Sequence, residues 1–299
     1  MTLVSPPMRC SARSLELDEP MIGSVDQRVR WLLVEDRSAW GEKAVRDVLG
    51  PGLEEAAKAR RMRLLLVRRR EGDPAADAVR RTFLVDTQSG EMAVRSITDP
   101  GELGGLLDVP LGDFGTPMTD PLLLVCVNGK RDACCALRGR ALLTALAADH
   151  AERTWECTHL GGHRFAANLV CLPHGIVYGR VSPDDGPRIA DAYLNGELEP
   201  DWLRGRSAWP QPAQVAEQTL RTSLGLRGLH DIQLVDAAVD DTTATVVLSA
   251  RGGMHRYELV AERGEPRPIS CRVDEPVQPT HWRLVASSAH DPSRGSTVA

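Results

Sequence analysis

Residues 122–149, LLLVCVNGKRDACCALRGRALLTALAAD, are the segment most informative about the fold class. The apolar run at 122–127 predicts a buried strand, and the spacing of apolar residues at 134–149 predicts a helix. A polar loop that contains Gly129 connects the two elements. Because α/β folds bind ligands where such a strand ends, we expect a functional site in this loop.

The same order of strand, helix, strand and hairpin is predicted twice along the chain. The elements of the first unit lie at residues 30–35, 40–60, 64–67, 83–85 and 92–97. Those of the second unit lie at residues 122–127, 134–149, 153–157, 168–172 and 176–181.

The hairpin segments of the two units, FLVDTQSGEMAVR and NLVCLPHGIVYGR, share their hydrophobic pattern and the position of the turn. This similarity indicates two related α/β halves. The alternative is that any two strand-turn-strand segments resemble each other to this degree.

The sequence changes character after about residue 185. Two helices at 188–195 and 211–224, followed by four short strands, predict a helix packed on an antiparallel meander. We therefore divide the chain into four regions. They are an N-terminal α/β unit at 1–115, a second α/β unit at 116–185, an α+β region at 186–285 and a disordered tail at 286–299. Residues 1–25 are expected to form an arm on the first unit.

Composition excludes several classes of protein. The net charge of −5 argues against a general nucleic-acid binder, and the apolar runs are too short for a membrane helix. No basic start leads into an apolar run at the N-terminus, so we see no signal peptide and expect a cytoplasmic protein. In such a protein, seven Cys and eight His indicate metal or redox chemistry rather than disulfides.

The cysteines and histidines concentrate in two short segments. Cys126, Cys134 and Cys135 surround the loop after the strand, and His159 and His163 flank two consecutive glycines. Those glycines disfavour a helix, so we interpret the histidine segment as a loop with both rings turned to one centre. No Glu lies between the histidines, which excludes the zinc-protease motif.

Spacing alone leaves three interpretations of these residues open. Structural zinc sites usually use Cys pairs two to four residues apart, whereas eight residues separate Cys126 from Cys135. A [2Fe–2S] cluster with two Cys ligands on one iron and two His ligands on the other is chemically sound. Unrelated buried thiols are the third interpretation.

Two segments, CVNGKRDACCALRGRAL (126–142) and WECTHLGGHRFAANLVCLPHGIVYGRV (155–181), resemble the sucrase/ferredoxin-like family. This family of thioredoxin-like ferredoxins includes the fungal actin-patch-distal proteins, and the resemblance extends from about residue 10 to 185. It implies thioredoxin-like α/β units that hold a [2Fe–2S] cluster. The implied ligands are Cys126, Cys135, His159 and His163.

Two features depart from the family pattern. Val127 and Asn128 stand where the family often has Thr-His, which removes a polar side chain but no ligand. Cys134 is an additional thiol beside the implied ligand Cys135, so Cys134 competes with it for that role. Neither departure removes a member of the implied ligand set.

Charged residues near these segments are candidates to tune the site. The Asp132 carboxylate can accept a hydrogen bond from the free ring N–H of a ligand histidine. The positive charges of Lys130, Arg131 and Arg164 can stabilise a reduced cluster. The alternative is that they form ordinary solvated turns. Cys157 and Cys171 are interpreted as core residues, and the pattern assigns Cys10 and Cys271 no role.

These observations predict a [2Fe–2S] electron-transfer or redox-sensing protein that serves an unidentified redox partner protein. We expect an electron carrier rather than an enzyme with its own substrate. One alternative is a zinc-binding structural or interaction protein. The other is a thiol-based, thioredoxin-like redox protein that uses Cys134 or Cys135, although no CxxC is present and adjacent cysteines make a strained disulfide.

Overall fold

The first half of a large sheet follows a short N-terminal helix. The computed structural model describes residues 9–69, 79–272 and 275–290. In chain order, the elements up to residue 117 are α1 (Cys10–Glu16), β1 (Arg30–Glu35), α2 (Ala44–Leu49), α3 (Pro51–Ala59), β2 (Arg63–Arg68), β3 (Arg80–Asp86), β4 (Glu91–Ile97), α4 (Leu103–Leu106), α5 (Leu111–Phe114) and β5 (Thr116–Pro117).

A second half and a smaller sheet complete the described chain. The second half consists of β6 (Leu122–Cys126), α6 (Ala133–His150), β7 (Thr154–Cys157), β8 (Leu169–Leu172), β9 (Ile176–Tyr178), α7 (Gly186–Leu194) and β10 (Leu203–Arg206). The C-terminal part consists of α8 (Gln211–Leu224), β11 (Gln233–Val239), β12 (Thr243–Ala250), β13 (Gly253–Arg263) and β14 (Thr280–His290).

The large sheet has ten strands in the order β10-β9-β8-β6-β7-β2-β1-β3-β4-β5. In the first half, β1 is parallel to β2 and antiparallel to β3, and β4 is antiparallel to β3. In the second half, β6 has the same relation to β7 and β8, and β9 to β8. The predicted α/β fold class, with two related thioredoxin-like halves and a smaller C-terminal unit, is confirmed.

A short antiparallel contact between β2 and β7 joins the two halves. Val67 pairs with Cys157 and Arg68 with Glu156, and the Arg68 Nε lies 2.7 Å from Glu156 Oε2. In one apolar cluster that covers residues of both halves, the rings of Phe83 and Trp155 meet edge to face at 5.4 Å. Residues from both halves therefore share one buried face, and β6 and the loop that follows it lie near the middle of the sheet.

The structure corrects three details of the prediction. The helix expected at 40–60 is broken into α2 and α3, because Gly50 has a φ of 86° and Pro51 lacks the N–H that would continue α2. The N-terminal arm, where it is described, packs on the turn His163–Phe165 of the second half rather than on the first unit. Residues 286–290, expected to be disordered, continue β14, because their backbone pairs with β13 without apolar anchors.

The boundary between regions that the sequence suggests near residue 186 does not coincide with the end of the large sheet, because β10 follows it and pairs with β9. Beyond β10, α8 packs on the four-stranded sheet β11-β12-β13-β14 through a small apolar core. The rest of the predicted tail, 291–299, and residues 1–8 of the predicted arm lie outside the described residues. In the part of the chain that is described, no helix has the length and apolarity needed to cross a membrane.

A buried ionic triad connects α8 to the large sheet. Glu217 accepts hydrogen bonds from Arg206 of β10 at 2.9 Å and from Arg221 at 3.0 Å, and all three side chains are buried. Burial by itself would raise the pKa of Glu217. The two guanidinium groups have a larger, opposite effect, so the pKa is lowered overall and the carboxylate stays charged.

We predict that Glu217→Gln destabilises the fold by about 3–5 kcal/mol, because it leaves two buried arginines without a counter-charge. The free energy of unfolding in urea measures this loss. Glu262→Gln is the matched control, because it breaks an exposed pair with Arg283 and is expected to cost less than about 1 kcal/mol. Equal small losses in both variants would contradict a structural role for the triad.

Candidate metal centre

The start of α6 positions the first two candidate ligands. Asp132 caps the helix, and its Oδ1 accepts a hydrogen bond from the Cys134 N–H at 2.9 Å. Asn128 holds the preceding loop, because it donates to the Gly41 carbonyl and accepts from the Arg131 N–H, both at 3.2 Å. The loop thereby carries the chain from the end of β6 into α6 in a fixed path.

Cys126 ends β6, and Cys135 lies in the first turn of α6. Both thiols are buried, and their sulfur atoms and one ring nitrogen of His159 all lie within 4.8 Å of one another. Cys134, the competing residue, points to a different group of side chains. Geometry therefore brings Cys135, not Cys134, to the same place as Cys126 and His159.

The two thiols form an electrostatically coupled pair. A hydrogen bond from Cys135 lowers the pKa of Cys126 despite burial, and His159 lowers it further. The same hydrogen bond and burial raise the pKa of Cys135. One proton thus leaves the pair readily, whereas the second thiolate needs a cation beside it. A pair with this behaviour is suited to binding a positively charged centre.

The histidine segment is a loop, as predicted. Gly161 and Gly162 have φ values of 84° and 66°, and a Cβ on Gly162 would lie 2.2 Å from the Arg204 guanidinium. Arg204 is buried and bonds the Gly161 carbonyl at 3.3 Å and the Asn168 amide oxygen at 2.8 Å. The two glycines let the chain wrap this arginine, and the loop brings His159 to Cys126 and Cys135.

The imidazole rings of His159 and His163 lie 5.0 Å apart between centroids. The Nδ1 atom of each ring is buried and has no hydrogen-bond partner among the described residues. The Nε2 atom of His163 faces Asp132 Oδ2 at 3.7 Å. Burial lowers the pKa of His163 below its usual value although Asp132 raises it, so the ring is neutral near pH 7, the form that binds metals.

The basic residues predicted to surround the site have different positions. Lys130 is exposed, and Arg131 pairs with Glu42 at 3.5 Å on the surface. Arg164 turns away to Glu19, which its Nε contacts at 2.7 Å. Of the four predicted neighbours, Asp132 is the one whose contact with a candidate ligand is direct.

A second group was missed by the sequence analysis. Cys10, Cys134, Cys271 and Asp132 have ligand atoms that all lie within 4.8 Å of one another. A hydrogen bond from Cys10 lowers the pKa of Cys134 to about 5, and the same bond raises the pKa of Cys10. The adjacency of Cys134 and Cys135 was the one signal in the sequence, but it gives no partner for the extra thiol.

Comparison with known proteins places this chain in a family. The sequence model of the family described as sucrase/ferredoxin-like matches residues 21–205, more than half of the chain. The chain belongs to the sucrase/ferredoxin-like family. The range shared with this family includes both halves of the large sheet and all four implied ligands, but not Cys10, Cys271 or the four-stranded sheet.

A curated relative supports the same assignment. The chain is 35% identical over 99 residues to altered inheritance of mitochondria protein 32 of Meyerozyma guilliermondii, which covers 29% of this chain and 35% of that protein. It therefore spans about a third of the length of this sucrase/ferredoxin-like relative. No solved structure matches the chain.

Close packing of α6 on β6 supports the cysteine pair. A Cβ on Gly139 of α6 would lie 2.3 Å from the Cys126 carbonyl oxygen. We predict that Gly139→Ala pushes α6 away and lowers the free energy of unfolding by about 1–3 kcal/mol.

Urea unfolding of Gly139→Ala and of a control variant checks this prediction. The control is Gly52→Ala on α3, where nothing lies within 4 Å of the added Cβ and the gain in helix propensity is at most about 1 kcal/mol. A Gly139→Ala protein as stable as the parent chain would show that the close approach is not required.

Proposed function

We propose that this chain is an electron-transfer or redox-sensing protein that holds one [2Fe–2S] cluster through Cys126, Cys135, His159 and His163. The observation that carries the proposal is the grouping of the Cys126 and Cys135 sulfurs with one His159 ring nitrogen, all within 4.8 Å of one another, together with the buried, unpartnered Nδ1 atoms of His159 and His163. A buried polar atom without a partner is costly unless it has a ligand to bind. The donor set fits the group implied by the family.

The arrangement favours two metal atoms over one. Cys126, Cys135 and His159 have ligand atoms within 4.8 Å of one another, but His163 is outside this tight group. A single tetrahedral ion would need four donors at such mutual distances. Two metal atoms, with two cysteines on one side and two histidines on the other, use His163 as well.

The protein's own residues have separate roles in this proposal. A bound [2Fe–2S] cluster supplies one-electron chemistry, so no substrate is required. Asp132 faces the Nε2 atom of His163 and orients the ring so that Nδ1 is free for a metal. Leu160 and Cys157 lie in the same apolar cluster as Cys126 and Cys135, and they exclude water from the thiolates.

Electrons are proposed to leave through His159. This ring is half-buried and lines an open cavity of about 400 Å³ together with Arg131, Glu42, Lys43 and Arg46. The rim carries both signs of charge, which suits a transient protein partner with a mixed polar surface. We therefore propose that the redox partner protein docks over this cavity.

Metal content and colour test the proposal. The purified chain is expected to be red-brown and to contain about two iron atoms. His163→Ala should lose the cluster, whereas His163→Cys should retain one at a lower potential, because a thiolate adds negative charge. Visible absorption, iron analysis and redox titration measure these effects.

His255→Ala is the control, since His255 lies on β13 in the smaller sheet and its removal should leave colour and iron unchanged. Full visible absorption in His163→Ala would remove His163 from the ligand set. A colourless wild-type chain with one zinc at these residues, or one with Cys126 and Cys135 oxidised to a disulfide, would overturn the proposed function.

A further inference from the structure

Three cysteines from distant parts of the chain converge at one point beside α6. The Sγ atoms of Cys10 and Cys134 are 3.6 Å apart, those of Cys134 and Cys271 are 3.3 Å apart, and those of Cys271 and Cys10 are 3.5 Å apart. Cys10 and Cys271 are separated by 261 positions in the sequence. The thiols thus form a nearly equilateral triangle that joins α1, α6 and the segment before β14.

A carboxylate completes this group of donors. Both oxygens of Asp132 lie 3.9 Å from the Cys10 Sγ. The carboxylate is held in place by the Cys271 N–H at 2.9 Å and the Ser270 hydroxyl at 3.1 Å. Fixing a donor through such contacts is typical of metal sites, where surrounding hydrogen bonds orient the ligands.

The spacing of the sulfur atoms suits a metal ion better than a disulfide. A disulfide brings two sulfurs to about 2.0 Å and would leave the third thiol apart. Tetrahedral zinc with Zn–S bonds of about 2.3 Å separates its sulfur ligands by about 3.8 Å. The three observed distances are nearly equal and lie within about 0.5 Å of that value.

Burial and access are also those of a metal site. Asp132, Cys10 and Cys134 are buried, whereas Cys271 is partly exposed and leaves a route for an ion. Two buried thiols, one partly exposed thiol and a buried carboxylate therefore meet at one point. Such a group of donors suits a divalent cation, and soft thiolates select zinc among the common ions.

We propose that Cys10, Cys134, Cys271 and Asp132 bind one Zn²⁺ ion in a structural site. The three thiols release their protons as they bind, and zinc takes no part in redox chemistry. The site fastens α1 and the segment before β14 to the start of α6, next to the proposed cluster. It shares no ligand with that cluster, because Cys134 and Cys135 point to different groups, and Asp132, which also faces His163, is the residue that contacts both sites.

Metal analysis of the full-length chain and its variants tests this site. The wild type should contain about one zinc per chain. Cys271→Ser and Cys10→Ser should each lose that zinc but retain the visible absorption of the wild type. Cys126→Ser should lose the absorption and keep the zinc. The control Cys171→Ser, in the core of β8, should keep both.

Alkylation of the wild type provides a test that does not depend on a variant's folding. With zinc bound, iodoacetamide should leave Cys10, Cys134 and Cys271 unmodified, and a chelator should expose all three, as mapped by mass spectrometry. Cys171 should stay unmodified in both states. The proposal is overturned if added zinc changes neither the zinc content nor the alkylation pattern, if Cys134 and Cys271 form a disulfide instead, or if zinc is lost only in Cys126→Ser.

Discussion

The buried carboxylate of Asp132 is the contact on which the arrangement of the whole centre depends. Its oxygens accept hydrogen bonds from the N–H groups of Cys134 and Cys271, and one of them faces the His163 ring. Burial by itself would raise the pKa of Asp132. These donors and His163 have a larger, opposite effect, so the pKa is lowered overall and the group remains charged. Because a buried charge is costly without partners, α6, the histidine loop and the segment before β14 are held together around it.

The two halves of the large sheet share a topology, but the residues that follow their first strands differ in kind. At the end of β6 the chain has Cys126, whereas β1 leads into Asp36, which accepts hydrogen bonds from Ser38 and Trp40. The first half therefore closes its own loop with ordinary polar contacts. It contributes its edge strand β2 to β7 and so stiffens the half that carries the cysteines and histidines.

Local pattern predicted most elements, because strands, α6 and the histidine loop are encoded by short runs of adjacent residues. The four candidate ligands were implied by the family resemblance, and the structure groups Cys126 and Cys135 with His159. The limits of β1 and α8 agree with the sequence prediction. The break at Gly50 was missed because helical spacing continues across it. The convergence of Cys10 with Cys271 was missed because a contact over 261 positions arises from tertiary packing and has no local pattern.

The central claim is that two histidine nitrogens and two cysteine sulfurs bind one iron–sulfur cluster in this sucrase/ferredoxin-like chain. Pulsed electron paramagnetic resonance of the reduced protein, with ¹⁵N incorporated only in histidine, tests it most directly. Two directly bound imidazole nitrogens should give strong couplings, and one of these couplings should be lost in His163→Cys. A spectrum of a [2Fe–2S] cluster without any histidine coupling, or no paramagnetic signal from an iron-loaded reduced chain, would contradict it.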